Sequence, residues 1–233
     1  MSTPRPWNRG PLAAFDSETS GRDPLSARLV SAALVAPSGH VQRWLSDVGG
    51  EEIPAEAARV HGISTEYARA HGRPAKTVVD EVADAVAWVL RVGPLVVMNA
   101  PYDLTLLEAE CRRHGVPTVG ERLGGPVGPI VDPLVLDRAT DRYRRGKRTL
   151  EALAAHYGVQ LEGAHSADAD ALAALEVARQ IAERFPNVQV PAPVLHRLQV
   201  GWHARWADSF ASYLARRGEP ADIDGSWPVR GVA

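Results

Sequence analysis

The chain has 233 residues, 45% hydrophobic and 23% charged, which suits one globular domain with an appendage, or two small ones, and excludes a disordered or fibrous polypeptide. Its formal net charge of −2 provides no global positive field, so any nucleic-acid binding must come from a local patch. The single cysteine, Cys111, excludes an intramolecular disulfide, Met1 to Gly10 lacks the apolar stretch of a signal peptide, and no apolar run approaches the roughly 20 residues that span a bilayer; a cytoplasmic protein without a membrane partner is expected.

Along the chain, Leu12 to Phe15 reads as a first strand ending in an acidic turn, Asp16 to Gly21. Arg28 to Ala36 reads as a second strand. Pro37-Ser38-Gly39 is a turn, and Val41 to Val48 reads as a third strand, so these three are expected to be antiparallel neighbours. Two short helical pieces follow, Pro54 to Val60 closed by Gly62, and Ser64 to Ala70. Val78, Val79, Val82, Val86, Val89 and Leu90 repeat at helical spacing and predict an amphipathic helix over Thr77 to Arg91. Leu95 to Met98 reads as a short buried strand before a helix from Asp103 to His114. The glycine- and proline-rich stretch from Gly120 to Pro129 reads as a loop, and Pro129 to Asp132 as a fifth strand. Leu150 to Tyr157 is helical and stopped by Gly158; Ala167 to Phe185 is a long helix ended by Pro186. Pro186 to Pro193 reads as a linker to a C-terminal helical extension. A meander followed by alternating strands and helices implies an α/β fold: a mixed five-stranded sheet with helices on both faces. Residues 10–186 form the expected main domain and 187–233 the extension.

Asp16 and Glu18 lie two apart at a strand end, where extended backbone points both side chains the same way. Asp103 sits where a strand gives way to a helix. Asp170 lies in the first turns of a long helix, five residues after His165. Taken singly, the acid-x-acid pair reads as a solvated turn, Asp103 as a helix N-cap, Asp170 as an exposed helix residue and His165 as a loop histidine. Together, at one sheet edge, four carboxylates repel one another unless cations hold them. Oxygen-only ligands suit Mg²⁺ or Mn²⁺, and two such ions can clamp the attacking and leaving oxygens of a phosphodiester. A nearby histidine can accept the proton of the attacking water.

Phe15-Asp16-Ser17-Glu18-Thr19-Ser20-Gly21, Asn99-Ala100-Pro101-Tyr102-Asp103 and His165-Ser166-Ala167-Asp168-Ala169-Asp170 resemble, in order, the three motifs of the DEDDh exonucleases. These are DnaQ-like members of the ribonuclease-H-like superfamily that include proofreading subunits of bacterial DNA polymerases. Val60-His61-Gly62-Ile63 and Gly146-Lys147-Arg148-Thr149-Leu150-Glu151-Ala152-Leu153 agree with it, so the resemblance runs from Leu12 to Phe185. It departs at Ala27, Met98 and Ser20, none of which is a ligand position. The resemblance implies a ribonuclease-H-like fold and 3′–5′ exonuclease activity using two ions, Mg²⁺ or Mn²⁺. By it, Asp16, Glu18 and Asp170 would bind the first metal, with Asp16 shared to the second and Asp103 acting directly or through water. His165 would be the general base. Thr19, Ser20, Glu56, His61, Asn99 and Tyr102 would approach the terminal nucleotides. His61-Gly62 is equally readable as a helix end, and Tyr102 as a core tyrosine. Asp132 is preferred as a helix cap over a supporter of the cluster.

Arg138, Arg142, Arg144, Arg145, Lys147 and Arg148 form the densest positive segment. A solvated face is the ordinary reading of such a run, but its position favours phosphate contact by Arg144, Arg145, Lys147 and Arg148. In the tail, Trp202, Trp206, Phe210 and Tyr213 recur at helical spacing. Packed, they would dock the tail on the main domain; exposed, they would offer a surface to a polymerase or another protein. The leading expectation is a DNA repair or proofreading exonuclease acting on single-stranded or frayed 3′ ends. An RNA-processing exoribonuclease and a non-catalytic nucleic-acid-binding module are the alternatives.

Overall fold

The computed structural model describes residues 5–231. The first four residues of the Met1 to Gly10 stretch and the last two of the 187–233 extension lie outside the described residues. Three strands form the meander: β1 (Ala13–Thr19), β2 (Leu29–Val35) and β3 (Val41–Leu45), antiparallel in sequence order. Helices α1 (Ala55–His61), α2 (Thr65–His71) and α3 (Ala75–Val92) follow. Gly62 ends α1 at φ 76°, and the Ser64 side chain opens α2 by accepting from Tyr67 N. Beyond them come β4 (Leu95–Val96), α4 (Ala100–His114), α5 (Val119–Leu123), β5 (Ile130–Val131), α6 (Pro133–Thr140), α7 (Leu150–Tyr157), α8 (Ala167–Arg184) and α9 (Ala192–Arg216). The sheet order is β3-β2-β1-β4-β5, with β4 parallel to β1 and β5 parallel to β4. The mixed five-stranded sheet with helices on both faces is therefore present.

The pleat of β1 divides the core, because successive residues face opposite sides. Ala13 and Phe15 join Val82, Val86, Leu104 and Leu107 of α3 and α4 on one face. Ala14 joins Ala171, Ala174, Ala178 and Ile181 of α8 on the other. The small alanines of α8 let that helix lie close over β1, which brings its N-terminus beside the acidic end of the strand.

Four boundaries differ from the sequence reading. β1 runs through Asp16, Ser17, Glu18 and Thr19, because β2 pairs Asp16 with Ala33 and Glu18 with Ser31; the acids lie inside a strand, not in a turn. β3 stops at Leu45, where Ser46 bridges to Arg73 and Asp47 caps a 3-10 turn over Val48–Gly50. α4 begins at Ala100, with Asn99 in the left-handed region as its N-cap, so Asp103 lies inside the first turn and is no cap. Within the expected 120–129 loop, α5 is nucleated by a reciprocal capping box between Thr118 and Glu121.

β5 is one of the two edge strands, and α9 satisfies its open side. The fully buried Gln199 donates Nε2 to Ile130 O at 2.8 Å and accepts from Asp132 N at 2.8 Å. His196 Nδ1 accepts from Ile130 N at 3.0 Å. Two side chains of a helix thus take the place of a sixth strand, which removes an aggregation-prone edge. After α9 the chain returns to the domain: Trp227 is buried and donates to Asp132 Oδ2 at 3.3 Å, and Arg230 N donates to Thr105 Oγ1 at 2.8 Å. Among the described residues, no helix is long and apolar enough to cross a membrane.

Candidate active site

The C-terminal ends of the parallel strands β1, β4 and β5 meet the first turns of α4 and α8 along one sheet edge. Asp16 and Glu18 project from the same side of β1. Asp170 projects from the first turn of α8, and each of the three offers a carboxylate oxygen within 4.8 Å of the others. Asp103 is not in that set. It lies 5% exposed in the first turn of α4 and accepts a 2.5 Å hydrogen bond from Ser17 Oγ. Ser17 faces the opposite side of β1 from the two acids, so one tripeptide reaches both groups.

Burial pushes the Asp16 carboxyl well above the ordinary range, and the charges of Asp103, Glu18 and Asp170 add to it. Glu18 is raised to about 7, first by burial and then by Asp170 and Asp103. Burial also raises Asp103 to about 7, against the Ser17 hydrogen bond that favours its ionised form. Asp170 is raised by burial and partly restored by the His165 backbone N–H, while its Oδ1 is buried with no hydrogen-bond partner. Four mutually repelling carboxyls and an orphaned acceptor are an unfavourable arrangement for the protein alone. An oxygen-only donor set of this kind fits a hard divalent cation.

His165 sits in the turn before α8 with φ 68°, a conformation that costs a non-glycine residue about 1–3 kcal/mol. Its backbone N–H donates to Asp170 Oδ2 at 3.3 Å. The ring stands at the mouth of the cleft, 48% exposed, with Nε2 3.7 Å from Glu151 Oε1 of α7. Asn99 shares the left-handed strain, so two of the three non-glycine residues at positive φ among those described flank this edge.

A cleft of about 400 Å³ adjoins the carboxylates, lined among others by Glu18, Arg43, His61, Tyr67 and His165. His61 ends α1, as one reading had it, and also faces the cleft. Its Nδ1 accepts from Ile63 N at 3.2 Å, its Nε2 is buried without a partner, and burial lowers its pKa. Glu56 is exposed, accepts from Arg22 at 2.5 Å and is not among the cleft residues. Thr19 Oγ1 and Tyr102 Oη share a 2.5 Å hydrogen bond in which one hydroxyl donates to the other, and the accepting hydroxyl donates its own proton to Gly21 O, so the half-buried Tyr102 fixes the loop after β1. Ser20 Oγ accepts from Arg28 N at 2.8 Å and closes the β1–β2 hairpin. The Asn99 side chain is exposed.

Asp132 caps α6 through Leu134 N at 2.9 Å, as preferred from sequence, and also accepts from Asn99 N and Ala100 N at 3.0 Å. It therefore fixes the start of the helix that carries Asp103. In the basic segment, Arg144 and Arg148 both donate to the fully buried Asp137, which also accepts from Tyr157 Oη at 2.8 Å. Both guanidiniums are therefore held by one buried carboxylate, a pairing that the sequence reading of this run as a phosphate contact did not include. Arg145 and Lys147 are exposed. Sequence reasoning missed Ser17, Glu151 and Arg43. Arg43 pairs with Asp168 at 2.5 Å and ties β3 to α8; the only available signal for Ser17 was its place between two acids.

A family model described as Exonuclease (RNase_T) matches residues 14–178. No curated protein matches the sequence. Solved structures with a similar fold include E. coli exonuclease I in complex with a dT13 oligonucleotide, at 19% identity over 76% of this chain and 42% of that one, TM-score 0.60. The zinc-bound form of the E. coli exonuclease I–ssDNA complex is 20% identical over 76% and 41%, TM-score 0.61. Exonuclease I from Methylocaldum szegediense is 22% identical over 87% and 45%, TM-score 0.61. The chain spans less than half the length of these structures.

Proposed function

The chain belongs to the RNase_T exonuclease family, and we propose that it removes nucleotides from the 3′ end of DNA, releasing nucleoside 5′-monophosphates in a repair or proofreading setting. The observation that carries this reading is the convergence of Asp16, Glu18 and Asp170 within 4.8 Å, with an orphaned Asp170 oxygen and Asp103 behind them. Residues 10–186 are the catalytic unit and the remainder an extension. The DNA oligonucleotides bound to E. coli exonuclease I support DNA as the substrate.

Asp16, Glu18 and Asp170 would hold one divalent ion, Mg²⁺ or Mn²⁺, and Asp16 with Asp103 a second. Bound there, such ions activate water and neutralise charge on the scissile phosphate. Ser17 holds the Asp103 carboxylate in place through its 2.5 Å hydrogen bond. His165 accepts the proton of the attacking water at Nε2, and Glu151 steadies the ring and the charge it gains. The strained turn over 163–166 positions the ring, because the same residue's N–H is tied to Asp170. His61 faces the terminal nucleotide across the cleft; Glu56, engaged with Arg22, stands further out. Thr19, Asn99 and the loop fixed by Tyr102 border the path of the 3′ end.

Matched DNA and RNA oligonucleotides labelled at either end, digested with Mg²⁺, test this reading. A 3′ label on DNA should leave at once as a mononucleotide, a 5′ label should give a descending ladder, and a 3′-phosphate should block both. Cleavage of circular single strands, or first release of the 5′ label, would refute the exonuclease polarity, and faster digestion of the RNA would refute the substrate.

A further inference from the structure

We propose that the groove between α6 and α9 is a track for single-stranded nucleic acid, holding the part of the substrate strand upstream of the end being cut. The identity of that strand rests on the exonuclease reading above; the groove itself stands on separate observations. It encloses about 920 Å³, and its lining includes Arg138, Arg142, Arg148 and Arg205 against a single carboxylate, Asp208. That sign is opposite to the chain's net charge of −2.

The arginines divide into two kinds. Arg148 shares the single charge of Asp137 with Arg144. Arg138, Arg142 and Arg205 have no carboxylate within ion-pair distance among the described residues. Arg138 is the most telling, because it is half-buried and lies 3.6 Å over the Trp206 ring. Burial lowers its pKa to about 10. Asp132 and Asp137 offset this only in part and from beyond ion-pair distance, so the cation is incompletely compensated, and an arriving anion improves its balance.

The opposite wall carries flat surfaces. Trp206 and Phe210 line it, 5.5 Å apart with planes 13° from parallel, and Tyr213 continues the series beyond the groove, 6.3 Å from Phe210 at 14°. Phe210 is 36% and Tyr213 44% exposed. Rings in a near-parallel series beside unpaired arginines match a ligand with one charge and one flat ring per repeat, which describes a single strand. An acidic peptide would use the charges and leave the ladder idle.

One loop borders the groove on one side and leads to the active-site helix α7 on the other. The loop 141–149 supplies Arg142, Gly146 and Arg148 to its wall, then carries Lys147 toward Glu151, whose carboxylate feels the charges of both Lys147 and His165. A strand leaving the cleft past His165 meets this loop next. α9 lies beyond residue 178, outside the span matched by the family, so the aromatic wall of the track belongs to the extension while α6 and its loop supply the other wall.

The test uses the full chain with Arg205→Glu and Phe210→Ala combined, both at exposed positions. Anisotropy of a labelled oligothymidylate of about 30 nucleotides, in EDTA, should show Kd weakened about tenfold, with a log–log salt slope shallower by about 0.7 per lost phosphate contact. Hydrolysis of an oligomer of about four nucleotides, too short to reach α9, should change less than about twofold. An unchanged Kd and salt slope for the long strand overturn the proposal. So does an acidic peptide whose binding depends on Arg205 and Phe210 while the long strand's does not. Because the binding arm needs no turnover, failure of the exonuclease reading shows separately, as long strands bound at α9 with no loss of nucleotides from the 3′ end.

Discussion

Replacing Glu18 by Gln should stabilise the metal-free protein while destroying its activity. Burial and the facing acids lift the Glu18 carboxyl from 4.5 to about 7. A carboxyl raised in the folded state holds its proton more tightly there than in the unfolded chain, so folding stability falls as pH rises between those two values. The full shift corresponds to at most about 3 kcal/mol. The cleft is open to water, and Asp16 and Asp170 share the repulsion, so about 1–2 kcal/mol is the expected gain for the glutamine variant at pH 8. For a chain of this size that corresponds to a rise of about 2–8 °C in Tm. Below about pH 4.5 the two proteins should melt together, because Glu18 is then protonated in both states of the parent. Mg²⁺ should raise the parent Tm at pH 8 through preferential binding to the folded state and move the variant less. Differential scanning fluorimetry across pH, with Mg²⁺ or EDTA, reads all of these differences. Equal melting of the two proteins at pH 8 in EDTA would show that the carboxylates are not in electrostatic conflict and would remove the argument for a cation.

Two further outcomes are expected. His165→Ala should lower the single-turnover rate by about 10²–10⁴-fold and His165→Gln nearly as much, with divalent-ion affinity retained in both, whereas Asp170→Ala should lose the ion as well; calorimetry beside quench-flow separates the two, and wild-type turnover in His165→Ala would remove the imidazole from the mechanism. Asp137→Ala leaves Arg144 and Arg148 without their buried anion and should cost about 3–5 kcal/mol, seen as a lower urea midpoint; a loss under about 1 kcal/mol would mean that the pair is solvated in solution.

The carboxylates and the histidine were legible because motif order survives any error in element boundaries. The extent of β1 was not. Asp16, Ser17, Glu18 and Thr19 are poor strand formers, and only their pairing with β2, a long-range fact, keeps them extended. α5 was hidden by Gly120, Gly124 and Gly125, although its capping box, Thr118 with Glu121, was readable. Arg144 and Arg148 read as surface charges because Asp137, at the end of an apolar run, gives no sign in sequence of being fully buried. Trp206 does meet Arg138 on the main domain, as packing of the tail predicted, while Phe210 and Tyr213 stay exposed; spacing alone distinguishes neither outcome. Asp132 starts α6, which its place before Pro133 reveals, and also holds the start of α4, which no local pattern reveals.

Asp132 also orders events in time. A ribosome delivers Asp16, Glu18, Asp103 and Asp170 well before Gln199 and Trp227, which complete the hydrogen bonding at the Asp132 junction. While the segment from α9 onward is still in translation, the amide of Asp132 and the edge of β5 lack their partners, and α4 starts from an unfinished support. Such a nascent chain carries every ligand for hydrolysis but holds Asp103 loosely. Ribosome-bound intermediates should therefore cleave poorly until the C-terminal segment has emerged.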